Sequence, residues 1–212
     1  MAVEKLSDQD HARIADAIRT AEDATSGEIY CVVAQRSDGY FFSAALIVTV
    51  SILLISLGVA FLIEAWWLTM RLPVFVAAQL LALAGAFALV YALPGLRIAL
   101  APRRWQYIRA HDNALKQFLA RNVHLTANRT GVLIFVSLAE RYAEIVADAG
   151  IDAKVPQDMW DSIVAGLIDD AGHDRLADGF VAAISAVGAL LAEHFPPLAD
   201  DGNELDDHLV EI

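Results

Sequence analysis

The chain has 212 residues, of which 57% are hydrophobic, and its formal net charge is −12. From Ala139 onward there are 17 acidic and 3 basic residues, which argues against nucleic acid as a partner because phosphates repel an acidic surface. The single cysteine, Cys31, excludes a disulfide within the chain and suits a reducing compartment.

The first forty residues predict a helix followed by a strand. Ser7 is a suitable N-cap, and apolar residues then recur at helical spacing to about residue 24. After the break at Thr25-Ser26-Gly27, the segment 28–35, EIYCVVAQ, is short and rich in β-branched and aromatic residues, as is typical of a strand. The N-terminal segment carries acids and no apolar core of a signal peptide, so we expect no cleaved leader.

Two long apolar runs follow, at 41–63 and 72–96, and neither contains a charged residue. A helix rises about 1.5 Å per residue, so each run can cross a hydrocarbon core of about 30 Å. Core helices of a soluble domain carry a polar stripe, and these runs carry none. We therefore predict a transmembrane hairpin over 41–96, whose short loop places Trp66 and Trp67 at the membrane interface.

A hairpin returns the chain to the side from which it started. The twenty positions after the second run contain five basic residues, whereas the loop contains one. The positive-inside rule then places both termini in the cytoplasm of a multi-pass protein of the inner (plasma) membrane. We expect the lipid bilayer, rather than nucleic acid, to be the partner of these basic residues.

The residues after the hairpin predict a helix over about 103–121, two strands and two further helices. The segment 132–138 is continuously apolar, as in a strand covered on both faces, and 142–147 is predicted to be the antiparallel strand that follows it. Pro156 lies near the start of the third helix, and Asp178 can cap the fourth, which ends at Phe195. The acidic residues from 198 onward predict an irregular tail, in which 203–212, NELDDHLVEI, can form a short turn.

Strands interleaved with four helices predict an α/β (α+β) sandwich in which a small mixed sheet is flanked by helices and interrupted by the hairpin. The first part of this domain occupies residues 1–40, the hairpin 41–96 and the second part 97–197, followed by an acidic tail at 198–212. The first strand precedes the hairpin and the other strands follow it, so the domain closes only because both flanks lie on one side.

The order of a helix, SGEIYCVVAQ, a membrane segment and TGVLIFVSLAERYAEIVADAGI resembles the TPM-domain family. That family includes a thylakoid-lumen acid phosphatase linked to photosystem II repair. The resemblance covers about 7–40 and 103–195, and many members instead carry a signal peptide and a membrane helix at the C-terminal end. This chain therefore resembles a subgroup with the hairpin inserted in the domain. The matching elements are Ser26-Gly27-Glu28-Ile29, the strand from Gly131, Arg141, and the turn Asp148-Ala149-Gly150.

The resemblance leaves two functions open, and with them whether the protein is an enzyme. One is a non-catalytic binding or accessory module for the maintenance of membrane proteins, with other membrane proteins as partners. The other is a weak acid-phosphatase-like hydrolase, with Ca²⁺ or Mg²⁺ as the candidate cofactor.

Phosphoryl transfer needs a cationic clamp and a base or nucleophile. Arg141 is the candidate clamp because it follows the apolar strand, and ligands bind at strand ends in α/β sheets. Asp38 and Asp148 are the candidate catalytic carboxylates, and Asp148 and Asp152 are the candidate ligands of a metal ion. The alternative is that Arg141 pairs with a neighbouring acid and only fixes the turn. A cleft that joins Arg141 to two carboxylates favours the hydrolase.

Overall fold

The computed structural model describes residues 6–66, 71–126, 128–152, 154–197, 205 and 207–212, and it describes Asp152 without its side chain. Trp67, predicted at the membrane interface, lies outside these residues. The chain forms two compact units, Met1–Ser37 with Tyr107–Ile212 and Asp38–Gln106. We call the first the sheet unit and the second the hairpin unit.

The sheet unit is built on four strands, β1 (Glu28–Ala34), β2 (Gly131–Ser137), β3 (Tyr142–Ala147) and β4 (Leu209–Glu211), in the order β3-β2-β1-β4. β1 pairs in parallel with β2 and with β4, and β2 pairs with β3 as an antiparallel hairpin. A parallel pair needs a long crossover, and here the crossover from β1 to β2 contains the whole hairpin unit. The predicted small mixed sheet is therefore confirmed.

Helices cover both faces of this sheet, because β1 and β2 are apolar on both sides. On one face, Ile14, Phe180 and Leu191 pack over Cys31 and Ile134, together with other buried residues. On the other face, a smaller cluster contains residues of the strands and of one helix, among them Val32, Phe135, Ala114 and Phe118. The helices are α1 (Asp8–Glu22), α5 (Arg103–Ala120), α6 (Ala149–Asp152), α7 (Gln157–Gly172) and α8 (Leu176–His194).

Ser7 caps α1 as its sequence predicts. The backbone N–H of Asp10 donates to the Ser7 hydroxyl over 3.2 Å, and the Asp10 carboxylate accepts from the Ser7 N–H over 3.1 Å. This reciprocal pair satisfies two amides at the start of the helix that no preceding turn could satisfy.

The hairpin unit contains α2 (Phe41–Ala65), α3 (Leu72–Ala92) and a short helix, α4 (Pro94–Leu100). Three helices among the described residues are long and apolar enough to cross a membrane: α2, α3 and α8. α8 buries Phe180, Ile184 and Leu191 in the core of the sheet unit, whereas α2 and α3 expose most of their apolar side chains. The lengths and composition of α2 and α3 indicate that the protein is associated with a membrane.

The second apolar run, 72–96, does not form one helix. The chain leaves the helical conformation at Leu93, with φ −117° and ψ 88°, and α4 starts at Pro94. Proline has no N–H to donate and disfavours a helical residue before it, so the break follows from the sequence. The predicted extension of this helix to Leu96 is wrong.

Two other expectations are corrected near the C-terminus. α8 starts at Leu176, so Asp178 lies in its first turn and is not the cap. Residues 209–211 are not irregular, because Leu209, Val210 and Glu211 form β4 opposite Cys31, Val32 and Val33. A strand of three residues is stabilised by its pairing with a distant strand. Its own sequence therefore contains almost no pattern from which the strand could be predicted.

Candidate functional site

A cleft of about 600 Å³ opens in the sheet unit where β2 ends and β3 begins. Its walls come from α1, the β2–β3 turn and the segment that joins α7 to α8. The charged and polar residues that line it are Asp10, Arg13, Ser137, Arg141, Asp169, His173, Asp174, Arg175 and Asp178.

Arg141 reaches this cleft from the turn between β2 and β3. Its backbone N–H donates to the Leu138 carbonyl over 3.2 Å, and its φ of +51° is in the left-handed region that non-glycine residues adopt at a cost. Its side chain is exposed and makes no hydrogen bond or ion pair with any residue that the structure describes. The alternative prediction, in which a neighbouring acid occupies Arg141, is therefore not what the described residues show.

The other two arginines of the cleft are occupied. Arg13 contacts Asp178 over 2.6 Å and Asp10 over 3.5 Å, and Arg175 contacts Asp170 over 2.6 Å. Hydrogen bonds to Asp178 and Asp170 raise the pKa of Arg13 and Arg175, respectively, above the usual arginine value. These exposed ion pairs hold the walls of the cleft in place. The charge of Arg141, by contrast, is available to a ligand.

Glu140 is fully buried directly beside Arg141. Its carboxylate accepts from the Ser37 backbone N–H over 2.9 Å and from the Ser137 hydroxyl over 2.5 Å, and the two serine hydroxyls lie 2.8 Å apart. Because Ser37 follows β1 and Ser137 ends β2, these bonds join the carboxyl ends of the two strands beneath the turn that carries Arg141. The sequence predicted only an ion pair between Arg141 and a neighbouring acid, although the position of Glu140, two residues after the apolar segment 132–138, was a signal for this role.

The structure does not bring Asp148 together with Arg141. Tyr142 pairs with Ser137 at one end of the β2–β3 hairpin, and Ala147 pairs with Val132 at the other. At about 3.3 Å per residue, Arg141 and Asp148 lie at ends roughly 20 Å apart. The carboxylates that share the cleft with Arg141 come instead from α1 and the α7–α8 segment, which no local pattern connects to the turn.

Asp38 and Asp148, the predicted catalytic carboxylates, do not line the cleft. Asp38 belongs to the hairpin unit, and its carboxylate accepts from the Tyr40 N–H over 3.4 Å. The Asp148 carboxylate accepts from the Ala149 N–H over 2.6 Å, and its second oxygen is buried without a partner among the described residues. The side chain of Asp152 lies outside the described part of the chain.

The predicted Ca²⁺ or Mg²⁺ site has only one of its ligands in the described part of the chain. The unpartnered oxygen of Asp148 has the right chemistry, but calcium takes six to eight oxygens. No group of three or more His, Cys, Asp or Glu side chains that could hold a metal ion occurs among the described residues. The pairing of Asp148 with Asp152 at a cation therefore stays a prediction.

Two buried groups lie away from the cleft. Burial, with Glu28 and Asp207 nearby, raises the pKa of Glu22 to about 8, although the Ile29 N–H donates to its carboxylate over 2.8 Å. Burial also raises the pKa of the Cys31 thiol far above its usual value. Cys31 is thus a buried residue of the core, where a thiol behaves as a small apolar side chain.

The fold is that of a small mixed sheet between helices, with a hairpin unit inserted between its two central strands. Residues 96–190 match the TPM domain family. This match confirms the resemblance to the TPM-domain family over residues 96–190.

Among solved structures, the chain is similar to the NMR structure of the BA42 protein from the psychrophilic bacterium Bizionia argentinensis. The TM-score is 0.61 at 21% identity, over 100% of this chain and 99% of that chain. At this identity the likeness shows the fold alone. No curated protein matches the sequence.

Proposed function

We propose that this protein is a membrane-anchored module whose TPM domain binds an anionic group of a ligand through Arg141, as an accessory factor for other membrane proteins. The observation that carries the proposal is the exposed guanidinium of Arg141 in a cleft of about 600 Å³, without an ion partner among the described residues. A guanidinium donates in a fixed fork that matches a carboxylate or phosphate, so it binds such groups more strongly than neutral donors do.

Anchoring by α2 and α3 is supported by their composition, since neither the 41–63 nor the 72–96 run contains a charged residue. It is also supported by the sheet, because strands before and after the hairpin unit pair directly, from Glu28 opposite Gly131 onward. Both flanks of a spanning hairpin then lie on one side. The five basic residues that follow it favour the cytoplasmic side of the inner membrane.

Hydrolysis of a phosphomonoester is the second candidate function. It is favoured by the carboxylates that line the same cleft as Arg141, namely Asp10, Asp169, Asp174 and Asp178. Of these, Asp174 makes no hydrogen bond or ion pair within the described residues. In this reaction Arg141 would hold the phosphate, and the carboxylate of Asp174 would take a proton from the attacking water as its oxygen bonds to phosphorus. The ester P–O bond would break, and the leaving alkoxide would take a proton from solvent.

Replacing Arg141 with alanine is expected to weaken the binding of inorganic phosphate by the full chain in nanodiscs at least tenfold, since a charge-assisted contact contributes about 1.5–3 kcal/mol. Arg129→Ala is the matched control, because Arg129 is also an exposed arginine with a left-handed φ, +53°, but does not line the cleft. Equal affinity of Arg141→Ala and wild type, by calorimetric titration, would contradict the proposal.

The same preparation decides between the two functions. An aryl phosphate is supplied with Ca²⁺, with Mg²⁺ or with a chelator, and release of the aryl alcohol is followed. Turnover that is lost in Arg141→Ala and kept in Arg129→Ala would establish the hydrolase. Binding without turnover under each condition would establish the accessory module.

A further inference from the structure

The outward face of α5 carries a stripe of exposed apolar side chains. The inner face of this helix buries Ala110, Ala114 and Phe118. Another face of the helix exposes Ile108 by 48%, Leu115 by 39% and Leu119 by 57%. Spacings of seven and four residues place these three side chains in one row along the helix.

This stripe differs from the rest of the sheet unit. Away from α5 and the adjoining Leu125, the large apolar side chains that are exposed in the described part of the unit are Met159, Ile168 and Ile212. Single exposed apolar residues are ordinary, whereas a contiguous apolar surface marks a site of interaction.

The charge around the stripe identifies the kind of partner. Residues 97–129, which contain α5, include seven basic residues and one acid, Asp112, in a chain whose net charge is −12. Two of the basic residues, Arg109 and Lys116, are exposed beside the stripe. Apolar side chains beside lysine and arginine are the pattern of a helix that lies in the plane of an anionic membrane surface.

We propose that the outer surface of α5, made of Ile108, Arg109, Leu115, Lys116 and Leu119, lies in the headgroup region of an anionic bilayer. The proposal rests on the membrane anchoring proposed above. The apolar side chains reach toward the acyl boundary, and the two basic side chains extend to the lipid phosphates. The sheet unit is then held against the membrane rather than tethered freely to it.

Spin labels on the full chain test this contact. Leu119→Cys carries the label on the surface, and Met159→Cys, another exposed apolar residue, carries the control label on α7. Cys31 is fully buried and stays unlabelled. The protein is reconstituted in vesicles of phosphatidylcholine with and without phosphatidylglycerol, and collisions with oxygen, which dissolves in lipid, are compared with those of a water-soluble nickel complex.

We expect the label at 119 to favour oxygen over nickel severalfold more than the label at 159 in vesicles with phosphatidylglycerol. That difference should fall without the anionic lipid and in Lys116→Glu. Equal nickel accessibility at 119 and 159 in both vesicles would overturn the proposal, as would protection at 119 with spin–spin broadening, which indicates a second copy of the chain. Release of the protein by alkaline carbonate would instead show that the anchoring itself has failed.

Discussion

Glu140→Ala is expected to lower the free energy of unfolding of the sheet unit by about 3 kcal/mol, since it leaves one buried and one half-buried donor without their acceptor. Those donors are the Ser37 N–H and the Ser137 hydroxyl, which bind the carboxylate over 2.9 and 2.5 Å. The side chains of Glu140 and Ser137 are both fully buried, so the bond between them is shielded from water. Phosphate affinity should fall as well, because the same bonds fix the turn that carries Arg141.

Two control variants distinguish the loss of these hydrogen bonds from the general effect of removing a carboxylate. Glu140→Gln keeps an acceptor oxygen and should cost less than the alanine variant. Glu193→Ala removes an exposed carboxylate on α8 and should change stability by less than about 0.5 kcal/mol. Urea titration of the full chain in detergent micelles, with hydrogen exchange in peptides of β1 and β2, measures all three. A loss below about 1 kcal/mol for Glu140→Ala would show that the network is unimportant.

Gly131→Ala is expected to destabilise the sheet unit by about 3 kcal/mol or more. A Cβ at this position would lie 2.1 Å from the backbone carbonyl oxygen of Val123, and a backbone atom cannot turn aside as a side chain can. Gly131 also pairs with Glu28 at the first rung of the β1–β2 ladder, so any shift is passed to both strands. Forcing extra atoms into a packed site typically costs about 1–3 kcal/mol and sometimes more when the backbone must move.

Gly166 is the matched control for this substitution. It lies in α7, and no atom is within 4 Å of the position a Cβ would take. Gly166→Ala should therefore stabilise the protein by about 0.5–1 kcal/mol, because alanine favours the helix. The two changes add the same methyl group and should have opposite signs in the same urea titration. A neutral result for Gly131→Ala would contradict the close packing of β2 against Val123.

The elements with a strong local pattern were predictable from the sequence. The apolar, β-branched segments predicted β1, β2 and β3 within a residue or two, and Ser7 as N-cap marked the start of α1. β4 and α6 were missed because each is only a few residues long and is stabilised by contacts with distant parts of the chain. The periodicity of the local sequence contains no information about such contacts.

The candidate site was predictable only in part, for the same reason. Arg141 could be found because a single strand determines where it lies. Its partners in the cleft could not, since Asp174 and Asp178 come from the far end of α7 and the start of α8. Proximity in sequence instead suggested Asp148, which the antiparallel register of β3 carries to the opposite end of the hairpin.

Thiol labelling in inverted membrane vesicles tests most directly whether the hairpin crosses the membrane and returns the chain to the cytoplasm. Cysteines replace the exposed residues Asp23, Glu193 and Trp66, one before the hairpin, one after it and one at its tip. With a reagent that does not cross membranes, we expect positions 23 and 193 to react at once and position 66 only after permeabilisation. Reaction of position 66 in intact vesicles, or of 23 and 193 from opposite sides, would contradict the account.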